Sequence, residues 1–203
     1  MLQKKLLLRN FYSFCMQQVT IKNEYISLTT IPYGAIIQEL LVKDKNGEAT
    51  NMVTGFSSPE DYLTDTISLG ACVGRFAGRI SGGSIIIEGS EYPIYEEDGV
   101  HLHGGKEGFA RKYWTLLEVN EGSQPYVKYS YLSPHLEEGY PGNLEVTVTY
   151  KLKGNALIIK HEANTDASTI VNLTNHSYFR LDKEASIGHY ILRVAAEHTL
   201  QTD

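Results

Sequence analysis

Strict alternation of apolar and polar residues is the strongest constraint on how this chain can fold. In the segment LEVTVTYKL, residues 144–152, every second side chain from Leu144 to Leu152 is aliphatic or aromatic, and the side chains between them are polar. Successive side chains of a β-strand point to opposite faces of the sheet, so this pattern is typical of a strand with one buried face. The Lys-Gly-Asn sequence at 153–155 then predicts a hairpin turn into a second strand, ALIIKHEAN.

Other segments have the same strand-like character. YVKYSYL at 126–132 and KYWTLLEV at 112–119 are rich in aromatic and β-branched residues. Asn46-Gly47 predicts another hairpin, between AIIQELLVKD and NMVTGF. Only SPEDYL, at 58–63, favours a single helical turn, with serine as the cap and proline in the first position. We therefore predict one all-β domain, which is a large antiparallel β-sandwich or part of one.

Composition and charge restrict the class of partner. The 203 residues, 42% of them hydrophobic, are enough for one core, and 18 basic against 24 acidic residues give a formal net charge of −6. Nucleic acid and anionic membrane surfaces bind concentrated basic faces, so we expect neither as a partner. No segment approaches the roughly 18 apolar residues of a membrane span. Two cysteines, Cys15 and Cys72, are too few for a disulfide framework, which favours a cytoplasmic location.

The first fifteen residues, MLQKKLLLRNFYSFC, imitate the start of a signal peptide. Arg9 and Asn10 interrupt the apolar run long before it reaches the length of a signal-peptide core. We expect Met16 to be the natural start, residues 1–15 to be a leader that can be removed, and the domain to comprise residues 16–203.

A glycine-rich segment, GRFAGRISGG at 74–83, carries two arginines. If the segment is a strand, the spacing of four places Arg75 and Arg79 on one face. If it is a glycine-rich corner between strands, both guanidinium groups are solvated. A dinucleotide-binding loop is not indicated, because no helical pattern follows and the G-x-G-x-x-G spacing is absent.

The segment GVHLHGGKEGFARKYW, at 99–114, carries two histidines. His101 and His103 lie two residues apart, hence on one face of a strand, and the Gly-Gly pair after them would let the backbone approach a ligand closely. With Glu107 they form H-x-H-x-x-x-E, which resembles the first metal motif of cupins. The two glycines that flank the cupin motif are absent here, so we expect no bound metal.

A third segment, NLTNHSYFRL at 172–181, places His176 among small polar residues. In a strand His176 and Tyr178 would share a face, and Phe179 would point the other way, into the sandwich. A single histidine near aromatic residues is commonly a hydrogen-bonded structural residue. Together with the arginine and histidine segments, however, it favours a ligand with many hydroxyls and one apolar face, such as a sugar.

In this order the segments resemble the aldose 1-epimerase (galactose mutarotase) family. GRFAGRI resembles the family's G-R-x-x-N-R-I, LHGGKEGF its L-H-G-G-x-x-G-F, and TNHSYFRL its T-N-H-S-Y-F-N-L. EEGYPGNLEVTVTYKL is similar to the G-Y-P-G-N-L strand entry, and the similarity runs from about Met16 to the last residue. It implies a β-sandwich of the galactose mutarotase-like type and an isomerase that interconverts the α and β anomers of free aldoses such as glucose or galactose.

The resemblance also implies roles for residues at matching positions. His176 matches the general acid, Arg79 and His103 match sugar-binding residues, and Ser177 and Tyr178 lie beside the acid as further substrate-binding residues. No cofactor or metal is implied. Ring opening needs a base to remove the C1 hydroxyl proton and an acid to protonate the ring oxygen, and histidine, with a reference pKa of about 6.5, suits the acid role near neutral pH.

Three departures from the family leave alternatives open. Gly78 and Arg180 stand where the family has asparagine, and the family's base, a glutamate, and its sugar-gripping aspartate are expected beyond Asp203. We therefore expect a domain that is incomplete at its C-terminus and that pairs with a missing portion or self-associates. A non-catalytic sugar-binding protein and a metal-dependent cupin-like enzyme are the competing predictions.

Overall fold

Fourteen short strands and three 3-10 turns make up the regular structure of the computed structural model, which describes residues 16–184 and 186–198. In chain order the strands are β1 (Val19–Lys22), β2 (Ile26–Ile31), β3 (Ile36–Lys43), β4 (Ala49–Asn51), β5 (Cys72–Val73), β6 (Arg79–Ser81), β7 (Ser84–Ile87), β8 (Ser90–Pro93), β9 (Val100–Leu102), β10 (Thr115–Asn120), β11 (Tyr126–Ser133), β12 (Leu144–Lys153), β13 (Ala156–Thr165) and β14 (Thr174–Asn175). The 3-10 turns are Pro59–Thr64, Phe109–Arg111 and Glu137–Gly139.

Two four-stranded antiparallel sheets face each other. The first has the order β1-β2-β3-β4 and the second the order β10-β11-β12-β13. Three two-stranded pairs, β5 with β14, β6 with β9 and β7 with β8, are formed by the segments between and after the sheets. The predicted all-β sandwich is confirmed.

The core lies between the two sheets. The alternating residues of β12 from Leu144 to Leu152 are at most 1% exposed, which confirms the predicted buried face. They pack with Ile21, Leu28 and Ile37 of the first sheet. Each fully buried aliphatic side chain of this kind contributes about 1.5–3 kcal/mol to folding.

Buried hydroxyls tie the two sheets together. The hydroxyls of Thr30 on β2 and Tyr129 on β11 are 2.7 Å apart, and the Tyr150 hydroxyl donates to the Ala35 carbonyl at 2.6 Å. These three buried hydroxyls therefore each have a hydrogen-bond partner, as is usual for buried polar groups.

The side chains of β13 on the core-facing side, the inner row of this strand, are less completely buried than those of β12. Leu157, Ile159 and His161 lie beside the buried row of β12, in register with Leu152, Tyr150 and Val148, yet all three are partly exposed. Within residues 16–184 and 186–198, β13 has no strand on its outer side, so it forms an edge of the second sheet. The Nε2 atom of His161 is buried there without a hydrogen-bond partner in the described part of the chain.

Several predicted boundaries are confirmed and two are wrong. The hairpins at Asn46-Gly47 and at 153–155 join β3 to β4 and β12 to β13, and SPEDYL forms a 3-10 turn with proline in its first turn. The strand after Asn46-Gly47 is Ala49–Asn51, however, which overlaps the predicted segment NMVTGF only at Asn51. The predicted strand at 112–119 begins only at Thr115. Lys112 instead caps the preceding 3-10 turn, where its N–H donates to the Phe109 carbonyl. Tyr113 forms an isolated bridge with Tyr33, and the Trp114 N–H donates to the Pro32 carbonyl.

The proposed leader, residues 1–15, lies outside the described residues. Met16, where we expect the domain to begin, is 5% exposed and packs with Ile31 and Tyr33. In residues 16–184 and 186–198, no helix is both long enough and apolar enough to span a membrane.

Candidate active site

An open cleft of about 540 Å³ lies where the histidine-bearing segments meet. One wall comes from the segment before β5, a second from the loops around β9, and a third from the residues that follow β14. His103, His176 and Tyr178 line it together. Its volume is within the range of small-molecule sites in proteins.

Main-chain pairing places His176 in the cleft. β14 pairs antiparallel with β5, and just beyond the pair the His176 N–H donates to the Ala71 carbonyl at 2.8 Å while its carbonyl accepts from Gly70 at 3.1 Å. The ring centroid of His176 lies 5.1 Å from that of His103 and 5.2 Å from that of Tyr178. His176 and Tyr178 line the same cleft, as the alternation predicted.

Two reciprocal hydrogen bonds with Gly78 hold His103. The Gly78 N–H donates to Nδ1 of His103 at 3.0 Å, and the His103 N–H donates to the Gly78 carbonyl at 2.9 Å. An Nδ1 that accepts a hydrogen bond carries no proton, so the neutral ring has its proton on Nε2. Burial, followed by the proximity of His176 and Arg79, lowers the pKa of His103 and favours this neutral form.

His101 and His103 do not share a face, contrary to the prediction. β9 ends at Leu102, and His103 turns into the left-handed region with a φ of 53°. His101 is completely buried, with Nδ1 2.6 Å from the Tyr95 carbonyl and Nε2 hydrogen-bonded to the Tyr140 hydroxyl. Both of its ring nitrogens are therefore occupied.

The geometry of the same segment does not support the cupin-like interpretation. Glu107 forms an ion pair with Lys112 at 2.7 Å instead of approaching His103. In the described ranges no group of three or more His, Cys, Asp or Glu side chains is arranged to hold a metal ion.

Neither expectation for the two arginines holds for Arg75. Arg75 is 1% exposed, and its guanidinium donates at 2.9 Å to Ser133 Oγ and to the carbonyls of Ser133, Pro134 and Pro141. It is thus a buried structural residue that binds the end of β11 and the loop between β11 and β12. The shared arginine face is wrong, and the solvated corner is wrong for Arg75 but holds for the exposed Arg79.

Arg79 occupies a different environment. It is exposed on β6, opposite Leu102 of β9 and thus next to His103 along the chain. Its charge contributes to the lowered pKa of His103, so it lies near that ring, although it is not among the residues that line the cleft.

Ser177 and Phe179, which follow His176 closely in the sequence, are not among the residues that line the cleft. The Oγ atom of Ser177 is buried without a hydrogen-bond partner in the described residues, and Ser177 does not line the cleft. Phe179 is 55% exposed, so the prediction that it points into the sandwich is wrong. Beyond β14, Phe179 forms an isolated bridge with Val53, flanked by hydrogen bonds from the Thr54 N–H to the Tyr178 carbonyl and from the Arg180 N–H to the Met52 carbonyl.

The glycines after His103 lie against other groups of the protein, and Gly105 also lines the cleft. A Cβ on Gly104 would collide with the Gly74 carbonyl, and a Cβ on Gly105 would collide with the Glu138 carboxylate. Sequence reasoning missed Glu138, and it also missed Tyr95 and Glu97, which line the cleft. Glu138 stands more than 30 positions from the histidine motif, and its segment was recognised only as a strand entry.

Comparison with known proteins identifies relatives that belong to one family. The profile of the family described as Aldose 1-epimerase matches residues 17–203. Galactose mutarotase of Rattus norvegicus is 39% identical over 192 residues, which cover 93% of this chain and 55% of the rat protein. Aldose 1-epimerase of Escherichia coli K12 is 33% identical over 184 residues, 89% of this chain and 52% of the bacterial protein. The chain spans about half the length of the curated relatives it matches.

Solved structures resemble the fold. An aldose epimerase homologue from C. elegans superposes with a TM-score of 0.76 at 30% identity, over 83% of this chain and 52% of that protein. Galactose 1-epimerase from Lactobacillus acidophilus gives a TM-score of 0.71 at 32% identity, over 80% of this chain and 48% of that protein.

Proposed function

Because the chain belongs to the aldose 1-epimerase family, we propose that its cleft binds a free aldose, such as glucose or galactose, and takes part in the interconversion of the sugar's α and β anomers. The observation that carries this proposal is the pair of imidazoles at the cleft. His103 is neutral and tied to Gly78, whereas the ring nitrogens of His176 have no hydrogen-bond partner in the described residues. One histidine is thus suited to hold a sugar and the other to exchange a proton with it.

The chemistry assigns a separate role to each side chain. His176 acts as the general acid that protonates the ring oxygen as the C1 hydroxyl loses its proton. His103 donates through Nε2–H to a sugar oxygen, and Arg79 adds a second donor from the edge of the site. Tyr178, 44% exposed, offers an aromatic face to the C–H face of the pyranose. Ser177 is given no contact with the sugar in this proposal, since its hydroxyl is buried and the residue does not line the cleft.

The base that accepts the C1 proton is proposed to lie outside the described residues, as the family resemblance implies. Within residues 16–184 and 186–198, no carboxylate is hydrogen-bonded to His103 or His176. Glu107 lines the cleft, but a hydrogen bond from Lys112 and that residue's positive charge lower the pKa of its carboxyl, which makes it a weak base. Glu97, also on the cleft wall, is the remaining carboxylate to test.

Polarimetry on fresh α-glucose and α-galactose tests the acid assignment. We expect His176→Ala to lower the catalysed rate of anomer interconversion by roughly 10²–10⁴, the usual contribution of a positioned acid. His198→Ala, which removes an exposed histidine elsewhere, is the matched control and should leave the rate unchanged. Arg79→Ala should mainly weaken sugar binding.

The same assay is run with and without the C-terminal half of a relative supplied as a second polypeptide. A His176 variant that keeps most of the catalysed rate would show that the acid is assigned to the wrong residue. A chain that reaches full activity alone, and loses it in Glu97→Gln, would place the base within the cleft described above.

A non-catalytic sugar-binding protein is the second candidate. It is favoured by Gly78, which stands where the family has asparagine and therefore offers the sugar no side chain. The backbone of Gly78 has a φ of 104°, a conformation that is strained for any residue other than glycine. NMR titration with glucose or galactose separates the two candidates, because a binding protein shifts the cleft resonances without exchanging the anomers.

A cytoplasmic location is also proposed. The buried Cys72 is a free thiol, which is consistent with a reducing compartment.

A further inference from the structure

Three backbone N–H groups of the loop after His103 converge on one carboxylate. The N–H of Lys106 donates to Oε2 of Glu138 at 3.0 Å, and the N–H groups of Glu107 and Gly108 donate to Oε1 at 3.0 and 3.4 Å. Hydrogen bonds to an ionised carboxylate are roughly twice as strong as those between neutral groups. Glu138 is therefore the main anchor of residues 106–108.

The loop is shaped around this carboxylate. Gly104, Gly105 and Gly108 have positive φ angles of 92°, 117° and 53°, which turn successive N–H groups towards a single point. At Gly105 the backbone lies so close to the Glu138 carboxylate that a side chain would collide with it. The glycines thus form a concave anion-binding backbone that Glu138 fills.

Glu138 is itself carried by a rigid turn, Glu137–Gly139. The preceding Glu137 forms an ion pair with Lys112 at 3.2 Å and accepts a hydrogen bond from the Tyr131 hydroxyl at 2.6 Å. The following Tyr140 is completely buried and is hydrogen-bonded to His101. Glu138 therefore binds the backbone of the loop, and the adjacent Glu137 binds Lys112 at the end of the loop.

This loop forms a wall of the cleft. His103, Lys106 and Glu107 line the cleft, whereas Glu138 does not. We propose that Glu138 is a positioning residue, which fixes the loop and through it the ring of His103 in the orientation that holds the ligand. Its effect on sugar affinity rests on the proposed function, but its effect on the loop and on His103 does not.

Amide hydrogen exchange and NMR of the full chain test the proposal with Glu138→Gln. Glutamine keeps the size of the side chain but replaces one acceptor by an NH₂ group that faces a backbone donor. We expect exchange at Lys106 and Glu107 to accelerate roughly tenfold or more, the His103 ring resonances to shift, and the Kd for glucose or galactose to rise roughly tenfold. The melting temperature and the exchange rates in β12 should change little. Glu145→Gln, at an exposed position on β12, is the matched control.

Each outcome decides the proposal. Unchanged exchange at Lys106 and Glu107, or faster exchange with unshifted His103 resonances, would overturn it, and so would an unchanged Kd when the wild type binds sugar. If the wild type binds neither sugar, the proposed function fails, while exchange and the His103 resonances still judge Glu138. If Glu138→Gln also accelerates exchange in β12, Glu138→Asp, which keeps the charge but shortens the reach, is judged by the same criteria.

Discussion

The end of β9 separates two histidines that differ by only two positions. His101 lies inside the strand and is buried between Tyr95 and Tyr140, whereas His103 lies just beyond it and faces the cleft. Alternation alone cannot distinguish them, because it assumes that the strand continues. The decisive interaction is the Gly78 N–H, which comes from a segment about 25 residues earlier in the chain.

A pH titration tests the state of His103. Burial first, then His176 and Arg79, lower its pKa in the folded protein, so the unfolded chain takes up the proton first as the pH falls. The stability that His103 contributes is full above the unfolded pKa of about 6.5 and is lost as the pH falls from there towards the folded pKa. We expect NMR to give a lower pKa for His103 in the folded protein than in the same protein in urea. An equal or higher folded value would contradict the neutral, Nε2-protonated ring.

The residues of the candidate site were predictable to different extents. His103, His176 and Tyr178 were found because each lies in a motif and each reaches the cleft. The buried structural role of Arg75 and the contact of Glu138 with the loop were not predicted, because the partners of both residues are distant loops whose positions only the folded chain defines. Local spacing carries no information about such contacts.

Strands were predicted best where they are long and half-buried. β11 and β12 extend at least as far as the alternating segments that indicated them, since one face of each lies in the core. β5 and β14 have two residues each and form only because Cys72 meets Asn175 across about 100 positions of sequence. Strands of two residues are too short to produce a period-two pattern in the sequence. The predicted direction of Phe179 was wrong for the same reason, because it assumed a strand that continues beyond β14.

The inner row of β13 provides a test at the level of one strand. His161 lies in an apolar row, its buried Nε2 has no hydrogen-bond partner among the residues the structure describes, and burial lowers its pKa. We expect His161→Leu to stabilise the protein by about 1 kcal/mol at pH 7.5, because it removes an unsatisfied polar atom. The gain should be larger at pH 5, because the wild type loses stability as the pH falls below about 6.5 and the variant lacks this term.

Urea unfolding at the two pH values measures both effects. Asn164→Leu, at an exposed position on the opposite face of β13, is the control and should leave the pH dependence unchanged. A His161→Leu protein that is less stable at both pH values would show that the imidazole makes a favourable interaction in that row.

At the level of the whole molecule, exposed apolar side chains are concentrated after β14. Ile187, Ile191, Leu192 and Val194 are between 62% and 87% exposed. A patch of this kind commonly marks an interaction surface. The sandwich core could be predicted from alternation along single segments, but this surface could not, since exposure depends on what the rest of the fold covers.

We expect the chain to self-associate at high concentration through these residues. Light scattering coupled to size-exclusion chromatography should show an average mass that rises with concentration, and the double change Ile191→Ser with Leu192→Ser should reduce the rise. Leu132→Ser removes an equally apolar exposed residue from β11 and is the control. A mass that stays monomeric over the whole range would show that this surface is inert towards a second copy.

The packing of Gly104 and Gly105 affects what the L-H-G-G motif can report in a sequence survey. A Cβ at either position would collide with a carbonyl or a carboxylate of the protein itself, so the fold requires both glycines whether or not a ligand binds. In the proposed function, His103 is the residue of this motif that contacts the sugar. A homologue that had lost catalysis but kept the fold would therefore keep both glycines. A sequence search that depends mainly on these glycines would identify members of the family whether or not they are enzymes.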